Sequence, residues 1–164
     1  MAVEPITPSR RHFLILSGTG LLLAGCSTTS VLSPKPTPGA EDATAAALPL
    51  VNTLRKSRGL PALALDTPAR KAAAYQAVRM AKADVMKHLI GLGDDFGDRM
   101  KKSDVQLPAA ENIASGQNGV DAAVQAWIDS PKHLVNMLGP YKGLGVAKAP
   151  AADGRNYWAM VLSG

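Results

Sequence analysis

The sequence predicts an α+β domain, and three observations carry that prediction. Apolar residues at helical spacing recur between about residues 41 and 140. Two strand-like runs, Leu144 to Ala149 and Asn156 to Leu162, then close the chain, with the hairpin signal Asp153-Gly154 between them. Apolar residues make up 46% and charged residues 19%, enough apolar surface to build a core. Helices first and an antiparallel hairpin last is the α+β pattern. Only 4% of residues are aromatic and Ala is abundant, so the core is expected to use small side chains. A length of 164 residues allows one domain, or one domain plus a tail. A single Cys excludes a disulfide scaffold, and one short apolar stretch excludes a polytopic membrane protein.

Residues 1–25 read as an export signal. Ser9-Arg10-Arg11-His12-Phe13-Leu14 opens an apolar run to Gly25 that is too short to span a bilayer, which needs about 20 residues. The serine, Arg10, Arg11, the phenylalanine and the leucine fall in the register of a twin-arginine signal, which makes that route preferred over an ordinary secretory one. Leu23-Ala24-Gly25-Cys26 resembles a bacterial lipobox, in which the Cys is acylated and becomes the mature N-terminus. Two or three acyl chains supply the double signal that stable anchoring requires. With Cys26 lipidated, no thiol is left for catalysis or disulfides.

Residues 26–40 form a Ser/Thr/Pro-rich tether with Pro34, Pro36 and Pro38 at alternate positions, a composition that favours extended polyproline II. The domain is expected over 41–164. Leu50, Val51 and Leu54 mark a first helix, with Arg55, Lys56 and Arg58 at its C-terminal end, Gly59 as a left-handed cap and Pro61 as a stop. A second helix is expected to open with Thr67 as cap before Pro68 and to end near His88. Asp94 to Lys102 forms a short helix after the loop at Gly91 and Gly93. Val120, Ala123, Val124, Trp127 and Ile128 make the apolar stripe of a further helix over Gly119 to Asp129. Ser130-Pro131 stops it and caps the next, which ends at Gly139-Pro140. Trp127 and Trp158 are expected in the core.

Several stretches, in order, resemble the bacterial CAP (SCP-like) domain, the superfamily of cysteine-rich secretory, antigen-five and pathogenesis-related proteins. They are Asn52-x-x-Arg55 with Gly59-Leu60, Met80 with His88, Phe96-x-x-Arg99-Met100, and Glu111-Asn112-Ile113-Ala114 with Gly116. Trp127-x-x-Ser130-Pro131-x-His133-x-x-Asn136, Gly143-x-Gly145-Val146 and Tyr157-Trp158 follow. The resemblance runs from Leu48 to Leu162. It implies a three-layer α-β-α sandwich around a small antiparallel sheet. Ala110, Leu134, Ala159 and Met160 depart from the commoner family residues.

The resemblance also implies where chemistry would sit. Eukaryotic relatives carry a cleft of two His and two Glu that can hold a divalent metal. His88 fits the first His and Glu111 the first Glu, but the second Glu falls near Ser130 and the second His near Tyr157. His133 stands on a different element and is the remaining imidazole of the mature chain. His88, Glu111 and His133 are therefore the candidate catalytic or metal-binding cleft, and Asn112, Ser130, Asn136 and Tyr157 the candidate binding residues. A tight zinc site takes three or four protein ligands, so this set is a bare minimum. Structural readings stand beside the functional ones. Glu111, expected on a central strand, would be satisfied equally by Asn52 or Arg55, and His88 by the end of a helix.

Three functions remain open. The favoured one is a non-catalytic envelope module binding a lipid, a wall polymer or a protein, with no cofactor expected. The second is a metal-assisted hydrolase using His88, Glu111 and His133 with a divalent metal such as zinc. The third is a structural envelope protein. The expected partners are the membrane, through lipidated Cys26, and an envelope ligand. Nucleic acid is not expected, because the net charge of +5 is spread among Ala and Asp residues.

Overall fold

The computed structural model describes Met1 and residues 36–164. The readings at Arg10, Arg11 and Cys26, and most of the tether, lie outside the described residues. The elements run β1 (Glu41–Asp42), α1 (Thr44–Ser57), β2 (Ala64–Leu65), α2 (Thr67–Ala83) and α3 (Phe96–Lys102). Then come β3 (Ala109–Ser115), α4 (Val120–Asp129), α5 (Pro131–Met137), β4 (Gly143–Pro150) and β5 (Asn156–Ser163).

The sheet order is β1-β4-β5-β3, antiparallel along this path, and the two-residue β2 adds a short parallel pairing on β4. The closing hairpin pairs as expected, Ala147 opposite Ala159. Alternation along β5 splits the core in two. Tyr157, Ala159 and Val161 face α2 and α3, while Trp158, Met160 and Leu162 face α1, α4 and α5. The result is a three-layer α-β-α sandwich of the α+β class.

Small residues set the layer spacing. Ala69, Ala72, Ala73 and Ala77 are buried on α2. At Gly145 an added Cβ would meet the backbone of Ala69 and Arg70. The helix thus sits on β4 at a distance only glycine permits, and backbone cannot swing aside as a side chain can. This gives Gly143-x-Gly145 a packing reason.

Three local expectations are corrected. The cap of α2 is Asp66, whose carboxylate accepts from the Ala69 amide at 3.3 Å, one residue before Thr67. That helix stops at Ala83, where Asp84 takes a left-handed conformation (φ 48°), so His88 stands in the following loop and not at a helix end. Glu111 lies on β3, at the edge of the sheet and not its centre. Ser130 occupies the expected cap position of α5, but its side chain makes no capping bond.

The first helix begins earlier than its apolar residues announce. Asp42 accepts from the Thr44 amide at 2.9 Å and from the Thr44 hydroxyl at 2.6 Å, and that hydroxyl accepts from the Val146 amide at 2.9 Å. At its other end, buried Arg55 donates to the carbonyls of Pro61, Met137 and Gly139 at 2.8–2.9 Å. Its guanidinium satisfies the orphan carbonyls that end α5, and burial lowers its pKa.

Candidate functional site

The site is built on the pairing of two charged residues across α3 and β3. Glu111 is 6% exposed and faces the α2–α3 layer. Arg99 of α3, also 6% exposed, meets its carboxylate with two nitrogens, Nη1 to Oε2 at 2.8 Å and Nη2 to Oε1 at 3.1 Å. This is the bidentate fork that suits a guanidinium to a carboxylate. The partners expected for Glu111 from the sequence, Asn52 and Arg55, are engaged elsewhere. Asn52 brackets the backbone of Leu63 with both amide atoms.

His88 is brought to this pair by its loop. Gln76, buried on α2, donates to the carbonyls of Lys87 and His88 at 2.8 and 3.1 Å. Arg99 donates to the His88 carbonyl at 3.0 Å, and Arg79 to that of Ile90 at 2.7 Å. Asp94 completes the clamp by accepting from the Ile90 amide and pairing with Arg79 and Arg99. Burial alone would raise the Asp94 pKa, but the Arg79 hydrogen bond, the Ile90 amide and the two cations outweigh it and hold it below the usual value.

The imidazole of His88 places Nδ1 2.9 Å from Glu111 Oε1. An ionised carboxylate only accepts, so Nδ1 donates to Glu111 and Nε2 is left for another partner. His88, Leu89, Phe96 and Glu111 line a cavity of about 320 Å³. Leu89 is 53% exposed there, a large apolar side chain beside a polar ring.

On the opposite face of β3, Asn112 is fully buried and ties the strand to α5. Its amide donates to the His133 carbonyl at 3.0 Å and its oxygen accepts from Asn136 at 2.8 Å. His133 Nδ1 is buried with no hydrogen-bond partner among the described residues. Its pKa is lowered, first by burial and then by the charge of His88. Yet among the described residues no group of three or more His, Cys, Asp and Glu side chains could hold a metal ion.

The donor set does not fit a resident divalent metal. Both Glu111 oxygens already receive Arg99, one also contacts His88, and a cation there would face the guanidinium. The remaining sequence candidates are not gathered at this cavity. Tyr157 lies on the Glu111 face but four ladder positions along, opposite Ser115. Its hydroxyl donates to Asp84 at 2.8 Å, a bond that raises its pKa, with burial and the Asp84 charge adding to it. Ser130 is half-buried at the α4–α5 junction. Leu89, Phe96 and the clamp residues Gln76, Arg79 and Asp94 were not singled out from sequence as site residues. Nothing in their spacing announces a shared loop.

Comparison with known proteins follows this geometry. The family model described as the cysteine-rich secretory protein family, CAP, matches residues 48–162. A curated Bacillus subtilis protein, "Uncharacterized protein YkwD", is 32% identical over 92 residues, covering 56% of this chain and 36% of that protein. An extracellular protein of Bacillus anthracis that contains an SCP domain superposes with a TM-score of 0.64 at 27% identity, over 73% of this chain and 39% of that one. An outer surface protein of Borrelia burgdorferi superposes with a TM-score of 0.66 at 21% identity, over 76% of this chain and 96% of that one. The chain thus spans little more than a third of the two Bacillus proteins. With the family match covering well over half of its length, the chain belongs to the cysteine-rich secretory protein (CAP) family.

Proposed function

We propose that this protein is an exported lipoprotein, anchored through Cys26, whose CAP domain is a non-catalytic binding module of the cell envelope. The observation that carries this reading is the state of Glu111. Its carboxylate is held by a bidentate guanidinium and an imidazole and has no free oxygen to offer a reacting group. General-base or metal chemistry at this position would first have to break the Arg99 pair. The cavity that remains offers an apolar wall at Leu89 and Phe96 and a polar imidazole ring at His88. That combination suits an amphipathic ligand with an apolar body and a hydroxyl or amide head, such as a lipid.

The export side rests on the signal-like residues 1–25 and on the kinship of the fold. The Bacillus anthracis relative is described as extracellular and the Borrelia burgdorferi one as an outer surface protein. Among the described residues no helix is long and apolar enough to cross a membrane. In this reading attachment comes from the acylated Cys26. One experiment addresses both halves. Cys26→Ala should leave the protein unprocessed or free of the membrane fraction. The mature chain, titrated with an environment-sensitive fluorescent fatty alcohol, should bind saturably, and Leu89→Ser should weaken that binding several-fold. A processed Cys26→Ala protein that stays with membranes contradicts the anchor. Fatty-alcohol binding that Leu89→Ser leaves unchanged contradicts the cavity.

A further inference from the structure

Lys71, Tyr75 and Lys82 are exposed on α2 at i, i+4 and i+11, which puts them on one stripe of the helix. Lys102, at the end of α3, joins Lys71 and Tyr75 across a cavity of about 320 Å³ lined also by Thr37 and Arg79. The acidic residue of that cavity, Asp94, is already paired with Arg79 and Arg99. At the neighbouring rim Asp42 is paired with Arg70. Lys71, Lys82 and Lys102 enter no ion pair among the described residues. Tyr75 is 51% exposed, and the Arg79 guanidinium lies 5.5 Å from its ring centroid.

The chain enters the domain on this same face. Pro36 and Thr37 line a cavity of about 370 Å³ with Lys71, and Pro38 and Gly39 line one of about 270 Å³ with Lys82. Nine residues separate Pro36 from Cys26, ten steps along the chain and a contour of at most ~36 Å. A domain held by so short a leash returns to the bilayer repeatedly, and the face that bears the leash meets it first.

We infer that the α2–α3 face is a bilayer-docking surface: Lys71, Lys82 and Lys102 engage anionic phospholipid headgroups, with a headgroup phosphate seated between Lys71 and Lys102. Tyr75 supplies the amphipathic ring that suits the headgroup level, and the lysine stems lie along the surface with their ammonium groups extended. This inference rests on the lipid-anchor reading. It goes beyond that reading by fixing which face of the domain meets the membrane, and so leaves the α1–α4–α5 layer turned outward.

The test is lysine acetylation, read by mass spectrometry, on the mature acylated chain reconstituted into phosphatidylglycerol-containing or pure phosphatidylcholine vesicles. Lys71, Lys82 and Lys102 should react several-fold more slowly in the anionic vesicles. Exposed Lys56 and Lys132, on the opposite layer, should react equally in both. The protection should fade as salt rises from ~0.1 M to ~1 M and the screening length falls from about 10 Å to about 3 Å. Lys71→Gln combined with Lys102→Gln should expose Lys82. An acylated chain whose lysines react equally in both vesicle types overturns the docking surface alone. The same protection produced by inorganic phosphate with neutral vesicles also overturns it, in favour of a soluble-anion site. An intact mass without acyl chains on Cys26 overturns the anchor and the docking surface together.

Discussion

Glu111 and Arg99 are each almost fully buried, and neither is tolerable alone in an apolar setting. Glu111→Ala should therefore destabilise the protein itself, without any ligand. Breaking a buried pair costs about 3–5 kcal/mol, and Asp94, still beside Arg99 Nε, places the effect toward the lower end. Urea denaturation should show this as a lower midpoint. Glu111→Leu combined with Arg99→Met should lose much less than the sum of the single changes. A Glu111→Ala midpoint equal to wild type would free the carboxylate for function. His133 gives a pH signature. Burial and His88 lower its pKa from 6.5, so its neutral form is favoured in the fold. Below pH 6.5 the unfolded chain takes up a proton that the folded chain resists, and stability falls until the folded pKa is passed. Melting temperature should decline with acidity from there, before Asp42 and Asp94 add their own losses below pH 3.8. His133→Gln should flatten the slope between pH 6.5 and the lower carboxylate range; an unchanged slope would place its origin elsewhere.

At the level of elements, Trp127 lies at 0% exposure on the inner stripe of α4. Phe or Trp to Ala in a core costs about 3–5 kcal/mol against a total of about 5–15. Trp127→Ala should lower the melting temperature by on the order of 10 °C or more. A shift of a degree or two would put the indole outside the core. The apolar stripe that buries Trp127 was legible because its helical period and its Pro131 stop are local facts of sequence. The closing hairpin was legible for the same reason. The cap of α2 slipped by one because Asp66 and Thr67 are both good cap residues, and sequence does not rank neighbours. The end of α2 was misplaced because helical composition continues through Met86 while Asp84 turns the chain. The edge position of β3 was hidden because pairing order is a long-range property. Its both-sided burial comes from α3 on one face and from α4 and α5 on the other.

For the whole molecule, family motifs in order gave the layers, and the structure bears them out. They did not give the Arg99–Glu111 pair. Arg99 is separated from Glu111 by the end of a helix and an irregular stretch, and only the fold closes that distance. Export is tested on the intact chain. Arg10→Lys with Arg11→Lys should stop export through a twin-arginine route, while undiminished export of the double variant would assign the general secretory route.

With Arg99 on both carboxylate oxygens, Glu111 locks the α3–β3 seam and leaves no place for a metal ion. Isothermal titration of zinc into the metal-stripped mature chain tests it most directly. No stoichiometric binding heat should appear, nor any rise in melting temperature at excess zinc, which a bound state would raise by mass action. Stoichiometric binding of micromolar affinity or tighter that His133→Ala eliminates would contradict it and move the hydrolase reading to the front.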